Sequence, residues 1–213
     1  MKNLNRIKDC FLDLKNKKKS ALVAFVTAGD PDLVTSLEVI NALPNAGVDI
    51  IELGMPFSDP MADGPVIQRS YFRALKAGNS LDKTLNLVKQ FRKNNQKTPL
   101  ILMGYYNPIL QMGIKGFIKK ARSCGVDGIL IVDLPPDSNN ELDIETKKGG
   151  IDIIRLVTPT TDKDRLNTIL KSSSGFLYYV SITGITGTKI NSLEDIKKKY
   201  MNLKASIKLP FVI

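Results

Sequence analysis

We predict that the chain folds as a single α/β domain of the (β/α)8, or TIM-barrel, class. Short β-branched apolar runs recur along the sequence, and segments with helical periodicity separate them. The runs are nearly continuous in apolar residues, as in IIEL and ILIV, which is typical of parallel strands buried on both faces. Their starts lie mostly 24 to 34 residues apart, the size of one βα unit. A GxGxxG motif does not follow the first run, which argues against a dinucleotide-binding fold.

Seven strands are predicted, and an extra loop and helix fill the long gap after the second one. In chain order the strands are Ala21–Val26, Val48–Leu53, Pro99–Gly104, Val126–Val132, Ile151–Val157, Gly175–Ser181 and Leu209–Ile213. The barrel class needs eight strands, and the sequence stops inside the seventh. We therefore expect residues 1–213 to form one domain that lacks the end of strand 7 and the eighth βα unit.

Helix signals fit between these strands. Residues 1–18 are predicted to form a leader helix within the domain, because Leu4, Ile7, Phe11 and Leu14 follow helical spacing. Later start signals are Asp30 as N-cap with Pro31 at the first helical position, Ser80, Ser138 with Glu141, and Ser192 with Asp195. The last of these helices presents Leu193, Ile196, Tyr200 and Leu203 on one face.

The composition excludes several classes of chemistry. The 213 residues include no histidine, which removes Ser-His-Asp and Cys-His catalysis and histidine-bound zinc. Acid–base chemistry must therefore come from carboxylates, lysine or tyrosine, and we expect no metal site. The two cysteines, Cys10 and Cys124, lie far apart and form no CxxC, which favours a reduced, cytoplasmic protein.

The net charge of +10 raises the question of a nucleic-acid partner. The lysines are scattered along the chain, and no aromatic residues are interleaved with them to form a stacking platform. No apolar run reaches the roughly 18 residues needed to cross a bilayer. We expect neither a nucleic-acid nor a membrane partner.

The ends of the predicted strands carry the candidate catalytic carboxylates, because barrel enzymes place their chemistry there. Glu52 stands inside the run IIELG, one residue before the predicted end of the second strand. Burial in such a run raises a carboxyl pKa and suits the group to proton transfer near neutrality. The alternative, equally open at this point, is a structural glutamate paired with a lysine or arginine.

Two loops stand out. The loop at 54–65 is too long for a tight βα turn, although Asp59-Pro60 and Asp63-Gly64-Pro65 are also ordinary turn formers. Asp133 ends the fourth strand and could likewise only begin a turn. The loop at 181–189 is rich in glycine and small residues, which suits a lid or an anion contact, but it lacks the P-loop spacing.

Four segments together resemble the tryptophan synthase alpha chain family, in order and over essentially the whole chain. They read VTAGDP at 26–31, ELGMPFSDPMADGP at 52–65, MGYYNP at 103–108 and GITG at 184–187. The resemblance implies a lyase that splits indole-3-glycerol phosphate into indole and glyceraldehyde 3-phosphate by a retro-aldol cleavage, with no cofactor in this chain. Glu52 matches the family's general acid/base, and Asp63 matches the carboxylate that accepts a hydrogen bond from the indole N–H.

The resemblance also implies a substrate pocket and a partner. The pocket residues are Phe25, Ile67, Tyr105, Leu130, Tyr178, Thr186 and Gly187. The partner is a beta chain that carries PLP, in an assembly of two alpha and two beta chains. The docking positions are Pro56, Asp59, Asn107 and Pro135, and we expect residues 55–57 to form an exposed apolar surface beside them.

Other functions stay open on the sequence alone. The chain could be a stand-alone lyase of the same family, or a non-catalytic remnant that docks on the beta chain. It could also be a different phosphosugar barrel enzyme, or a basic RNA-associated protein.

Overall fold

The computed structural model describes residues 5–136, 140–180, 200–201, 203–204 and 207–213. Its strands form one parallel sheet in which spatial order follows chain order from β1 to β7. The strands are β1 Val23–Thr27, β2 Ile50–Gly54, β3 Leu100–Gly104, β4 Gly128–Ile131, β5 Asp152–Val157, β6 Leu177–Tyr179 and β7 Phe211–Val212. All seven predicted strands are confirmed, with shifts of a few residues at their ends.

Helices follow the strands, and one helix precedes them. They are α1 Arg6–Asn16, α2 Leu33–Ala42, α3 Pro65–Lys76, α4 Leu81–Asn94, α5 Tyr106–Met112, α6 Ile114–Cys124, α7 Asn140–Gly149 and α8 Lys163–Lys171. Within the described part of the chain, none of the helices combines the length and apolar character needed to cross a membrane.

One of the predicted helix starts is confirmed, and others lie outside the described residues. Ser80 is the N-cap of α4, as predicted, and its side chain accepts a hydrogen bond from the Lys83 N–H at 3.3 Å. The predicted signals at Ser138, Ser192 and Asp195 lie outside the described residues, as do Leu193 and Ile196.

The predicted start of α2 at Asp30 is wrong. Asp32 caps this helix, because its carboxylate accepts the Thr35 N–H at 2.9 Å. Asp30 instead pairs with Arg73 of α3, 2.7 Å away, so its carboxylate is committed to another helix. Both aspartates suit an N-cap by residue type, and a contact 43 residues along the chain decides between them.

The strands separate two apolar layers, because successive side chains point to opposite faces. Ile51 and Leu53 of β2 belong to the larger cluster between sheet and helices. Ile50 faces the other way and packs in the barrel interior with Ile7 of α1. Phe11, also of α1, meets the Phe176 ring at 5.7 Å, so α1 covers one end of the interior. This is the end at which the strands begin.

A buried charge cluster holds that end together. Asp127, just before β4, accepts hydrogen bonds from Arg92 of α4 at 2.6 Å and from Arg6 of α1 at 2.8 Å. It also accepts the Leu100 N–H of β3 at 2.9 Å. Burial lowers the pKa of Arg92 to about 10, against the opposing attraction of Asp127, so the guanidinium stays charged at neutral pH. One carboxylate therefore links two helices to two strands.

Replacing Asp127 by Asn should destabilise the fold by about 3 kcal/mol or more, because Arg92 keeps a buried charge without its counter-ion. Urea unfolding at neutral pH measures this. The matched control is Asp13→Asn, which breaks the Asp13–Lys17 pair, whose side chains are 59% and 58% exposed. That loss should stay below about 1 kcal/mol. Equal effects of the two changes would contradict the structural role of Asp127.

Candidate active site

Glu52 lies inside the barrel. It is the third residue of β2, is 2% exposed and pairs in register with Phe25 of β1 and Ile101 of β3. Its Oε1 has no hydrogen-bond partner among the described residues, and none of their ion pairs includes Glu52. The described residues therefore give no support to the alternative of a structural glutamate neutralised by a basic side chain.

The surroundings of Glu52 tune its protonation. Burial raises the pKa of this carboxyl to about 7, because an ionised group loses its hydration in the interior. Tyr178 of β6 stands close enough that its own pKa is raised, first by burial and then by the Glu52 charge. Near neutral pH both the acid and the carboxylate forms of Glu52 are populated, so the group can both donate and accept a proton.

Asp63 lies in the loop that follows β2 and is 9% exposed. Its Oδ2 accepts a hydrogen bond from the Tyr105 hydroxyl at 2.7 Å, and that hydroxyl accepts the Ala62 N–H at 2.9 Å. The turn hypothesis accounts for its backbone, since the Asp63 N–H donates to the Pro60 carbonyl at 3.1 Å. It does not account for the carboxylate, which reaches a residue 42 positions further along the chain.

The protonation of Asp63 reflects two opposing effects. Burial raises the pKa of its carboxyl, and the hydrogen bond from Tyr105 lowers it. A residue that the sequence analysis missed, Tyr71 of α3, also lies here and is 1% exposed. Burial, Asp63 and Tyr105 all raise the pKa of Tyr71. Helical spacing in the sequence could have identified Tyr71, because it follows the predicted pocket residue Ile67 by one helical turn.

The structure brings three of the other predicted pocket residues, Phe25, Leu130 and Tyr178, to the same interior. Leu130 and Tyr178 belong to the inner apolar cluster. Phe25 packs against Gly54, where a Cβ atom would come within 2.6 Å of its ring, so only glycine leaves room for the ring there. Thr186, Gly187 and the loop at 181–189 lie outside the described residues.

The described residues line several cavities around the barrel. Phe25 and Ile67 together line one of about 300 Å³ that runs along β1, the strand at the end of the sheet. Two larger cavities, of about 340 and 380 Å³, lie around Arg6 at the end of the barrel where the strands begin. Neither Glu52 nor Asp63 lines them. Their volume alone does not make them the chemical site, because the inward-facing carboxyl groups are elsewhere.

Residues predicted to dock a partner are largely at the surface. Asp59, Asn107 and Pro135 are exposed and follow β2, β3 and β4. The expectation of an exposed apolar surface at 55–57 is wrong, because Met55 and Pro56 are buried and only Phe57 is partly exposed. The Met55 N–H donates to the Met103 carbonyl at 2.8 Å, which extends the β2–β3 pairing, and the Met55 side chain packs in the apolar layer between sheet and helices.

Comparisons with known proteins agree on one family. A model of the tryptophan synthase alpha chain family matches residues 11–213. Tryptophan synthase subunit alpha of Legionella pneumophila str. Paris superposes with a TM-score of 0.91 at 42% identity, covering 98% of this chain and 77% of that one. A protein of Aquifex aeolicus VF5 gives 0.90 at 38% identity, with coverages of 98% and 79%. A chain of the tryptophan synthase α2β2 complex of Pyrococcus furiosus gives 0.82 at 39% identity, with coverages of 90% and 76%. The predicted barrel class is confirmed.

Because the pKa of Glu52 is raised in the folded protein, we expect the free energy of unfolding to depend on pH. The pKa of Glu52 is about 7 in the folded protein and 4.5 in the unfolded chain, so the folded state holds this proton more tightly. The resulting contribution to the free energy of unfolding is complete below pH 4.5 and is lost as the pH rises to about 7. The difference amounts to about 3 kcal/mol. Glu52→Gln cannot ionise, so the free energy of unfolding of the parent, relative to this variant, should fall by that amount between pH 4.5 and pH 8. Urea titrations across this range measure it.

Glu38→Gln makes the same chemical change at an exposed position of α2. Its difference from the parent should stay within about 0.5 kcal/mol at every pH. A parent-minus-variant difference for Glu52→Gln that does not change with pH would show that Glu52 ionises as readily in the folded protein as in the unfolded one.

Proposed function

Because this chain belongs to the tryptophan synthase alpha chain family, we propose that Glu52 and Asp63 carry out its lyase reaction. The reaction splits indole-3-glycerol phosphate into indole and glyceraldehyde 3-phosphate, within tryptophan biosynthesis. The observation that supports this assignment is the carboxyl group of Glu52, which is buried in the barrel interior and has an Oε1 without a described partner. A buried group with a pKa of about 7 can transfer protons in both directions at neutral pH.

In the first step the protonated carboxyl of Glu52 gives its proton to C3 of the indole ring. Positive charge then develops at the indole nitrogen. Asp63, as a carboxylate, accepts a hydrogen bond from that N–H and stabilises the charge. The two groups thus need opposite protonation states. Burial raises the pKa of both carboxyls, and at Asp63 the hydrogen bond from Tyr105 opposes that rise and favours the ionised form.

In the second step the Glu52 carboxylate accepts the proton of the side-chain hydroxyl next to the ring. The O–H electron pair becomes the carbonyl bond of glyceraldehyde 3-phosphate, and the carbon–carbon bond to C3 breaks. Its electrons return to the ring and neutralise the nitrogen. Glu52 ends the cycle protonated, as it began, so the reaction requires no external acid or base. Protein carboxylates supply the chemistry, and no step requires a cofactor in this chain.

The same proposal includes a partner. The Pyrococcus furiosus relative is part of an α2β2 complex, and we expect this chain to dock on a PLP-containing beta chain in an assembly of two alpha and two beta chains. Asp59, Asn107 and Pro135 support this, since all three are exposed after consecutive strands of the sheet. Pro56 is buried and can contribute only through the shape of its loop. A cytoplasmic location fits a biosynthetic enzyme of this kind.

Glu52→Gln should reduce indole release from indole-3-glycerol phosphate by about 10²–10⁴-fold or more, because a neutral amide transfers no proton. Binding of a non-cleavable substrate analogue should change little. The assay uses the natural protein with its beta chain, and Glu38→Gln serves as the control with parental rates. A Glu52→Gln enzyme that keeps more than half of the parental rate would remove Glu52 from this role. A parent that binds the beta chain and releases no indole would favour the non-catalytic alternative.

Asp63→Asn should lower turnover about 10²-fold or more, because an amide stabilises a positive charge on the indole nitrogen poorly. An asparagine tolerates the same turn, so the turn hypothesis expects unchanged turnover instead. Comparing thermal midpoint and turnover for this variant separates the two, with Asp13→Asn as the control at a surface position. Parental turnover at a parental midpoint would assign Asp63 to the loop backbone alone.

A further inference from the structure

The hydroxyl of Tyr105 joins the Asp63 carboxylate to the backbone of its own loop. Tyr105 directly follows β3 and is 1% exposed. Its O–H donates to Asp63 Oδ2 at 2.7 Å, and its oxygen accepts the Ala62 N–H at 2.9 Å. The Phe57 ring lies 5.3 Å from the Tyr105 ring, so the aromatic group is held from the side as well. The hydroxyl and the ring of Tyr105 are thus both held by groups from the loop after β2.

We propose that Tyr105 is a positioning residue for the lyase reaction, which acts through Asp63 by orienting its carboxylate and keeping it ionised. The proposal rests on the role of Asp63 proposed above. It differs from the role that the family resemblance implies for Tyr105, which is contact with the substrate. A phenol carries a single proton, and here that proton is committed to Asp63. The hydroxyl therefore has no donor left for a substrate, whereas the ring can still line the pocket.

The electrostatic setting explains why Asp63 needs such a partner. Asp63 is 9% exposed, and its carboxylate lies in none of the ion pairs formed by the described residues. Burial raises the pKa of Asp63, and the hydrogen bond from Tyr105 opposes that effect. Among the described residues, Tyr71 of α3 and Asp133 after β4 are the other titratable groups that interact with this pair. Neither brings a positive charge, so within the described part of the chain the phenol is the group that favours the ionised carboxylate.

Burial and the Asp63 hydrogen bond raise the pKa of Tyr105, so its phenol stays protonated and remains a donor at physiological pH. Asp133 raises this pKa further through its negative charge. The Asp133 carboxylate is itself engaged by the Tyr106 N–H of α5 at 2.9 Å, which fixes its position. The Tyr105–Asp63 bond is therefore supported from the loops after β2, β3 and β4.

The test is Tyr105→Phe, which removes the hydroxyl and retains the ring and its contact with Phe57. Indole release is measured as kcat and kcat/KM from pH 5 to 9, in the natural protein with its beta chain. Asp63 must be ionised, so its protonation limits the reaction on the acidic side. We expect kcat/KM to fall about tenfold below the optimum and at most about threefold at the optimum, with KM little changed. In a ¹³C NMR titration, the Asp63 carboxyl should take up its proton at higher pH in the variant.

Tyr179→Phe is the matched control. Tyr179 is a buried phenol of β6 that faces away from the interior, and its hydroxyl has no hydrogen-bond partner among the described residues. Its pH profile should equal that of the parent. A second comparison places Tyr105→Phe in the Asp63→Asn background, where it should cause no further change if Tyr105 acts through Asp63.

The outcomes separate this proposal from the proposed function. A Tyr105→Phe enzyme with the parental pH profile, alongside an Asp63→Asn enzyme that has lost turnover, overturns the positioning role and leaves the role of Asp63 intact. Parental turnover in Asp63→Asn overturns the role of Asp63 itself. A loss in Tyr105→Phe that is equal at every pH and in both backgrounds assigns Tyr105 to direct substrate contact. A variant without cooperative thermal unfolding assigns it to the fold, and either result overturns the proposal.

Discussion

Side chains alternate between the two faces of a parallel strand, and this alternation directs Glu52 into the barrel while its neighbours Ile51 and Leu53 face the helices. In the interior the carboxyl loses most of its hydration, and its pKa rises to about 7. Phe25 and Tyr178, placed there by the same alternation on other strands, form its surroundings. A one-residue shift in register would move Glu52 to the helix-facing layer, away from the interior that removes its hydration and raises its pKa.

The two ends of the barrel have different physical roles. Where the strands begin, Asp127 gathers Arg6, Arg92 and the backbone of Leu100 into one buried cluster. The Asp127 carboxylate and both guanidinium groups are hydrogen-bonded within this cluster. The cluster therefore adds rigidity and contributes no free reactive group. Where the strands end, long loops bring in carboxyl groups with few or no charged partners. Stability and chemistry are thus separated along the barrel axis, as is typical of this architecture.

The two candidate carboxylates, Glu52 and Asp63, are both buried but differ in their hydrogen-bond partners. Glu52 lies in an apolar interior with an Oε1 that has no described partner, so the neutral acid is favoured. Asp63 is also buried, but a phenol donates to it, so its ionised form is partly restored. Burial raises the pKa of both carboxyls, and the opposing hydrogen bond at Asp63 is what distinguishes the two environments. The difference depends on one hydroxyl, which a residue 42 positions further along the chain provides.

Local sequence determined the seven strands, the caps such as Ser80 and the burial of Glu52, because each depends on apolar periodicity or on neighbours within a few residues. It suggested Asp63 without distinguishing a turn former from a catalytic group. Only the tertiary structure decided that Asp30 pairs with Arg73 instead of capping α2, and that Tyr105 donates to Asp63. These contacts span about forty residues, and the folding of the sheet brings their partners together. Short-range patterns carry no information about such pairings, because the distance between the groups is fixed by the barrel and not by the intervening chain.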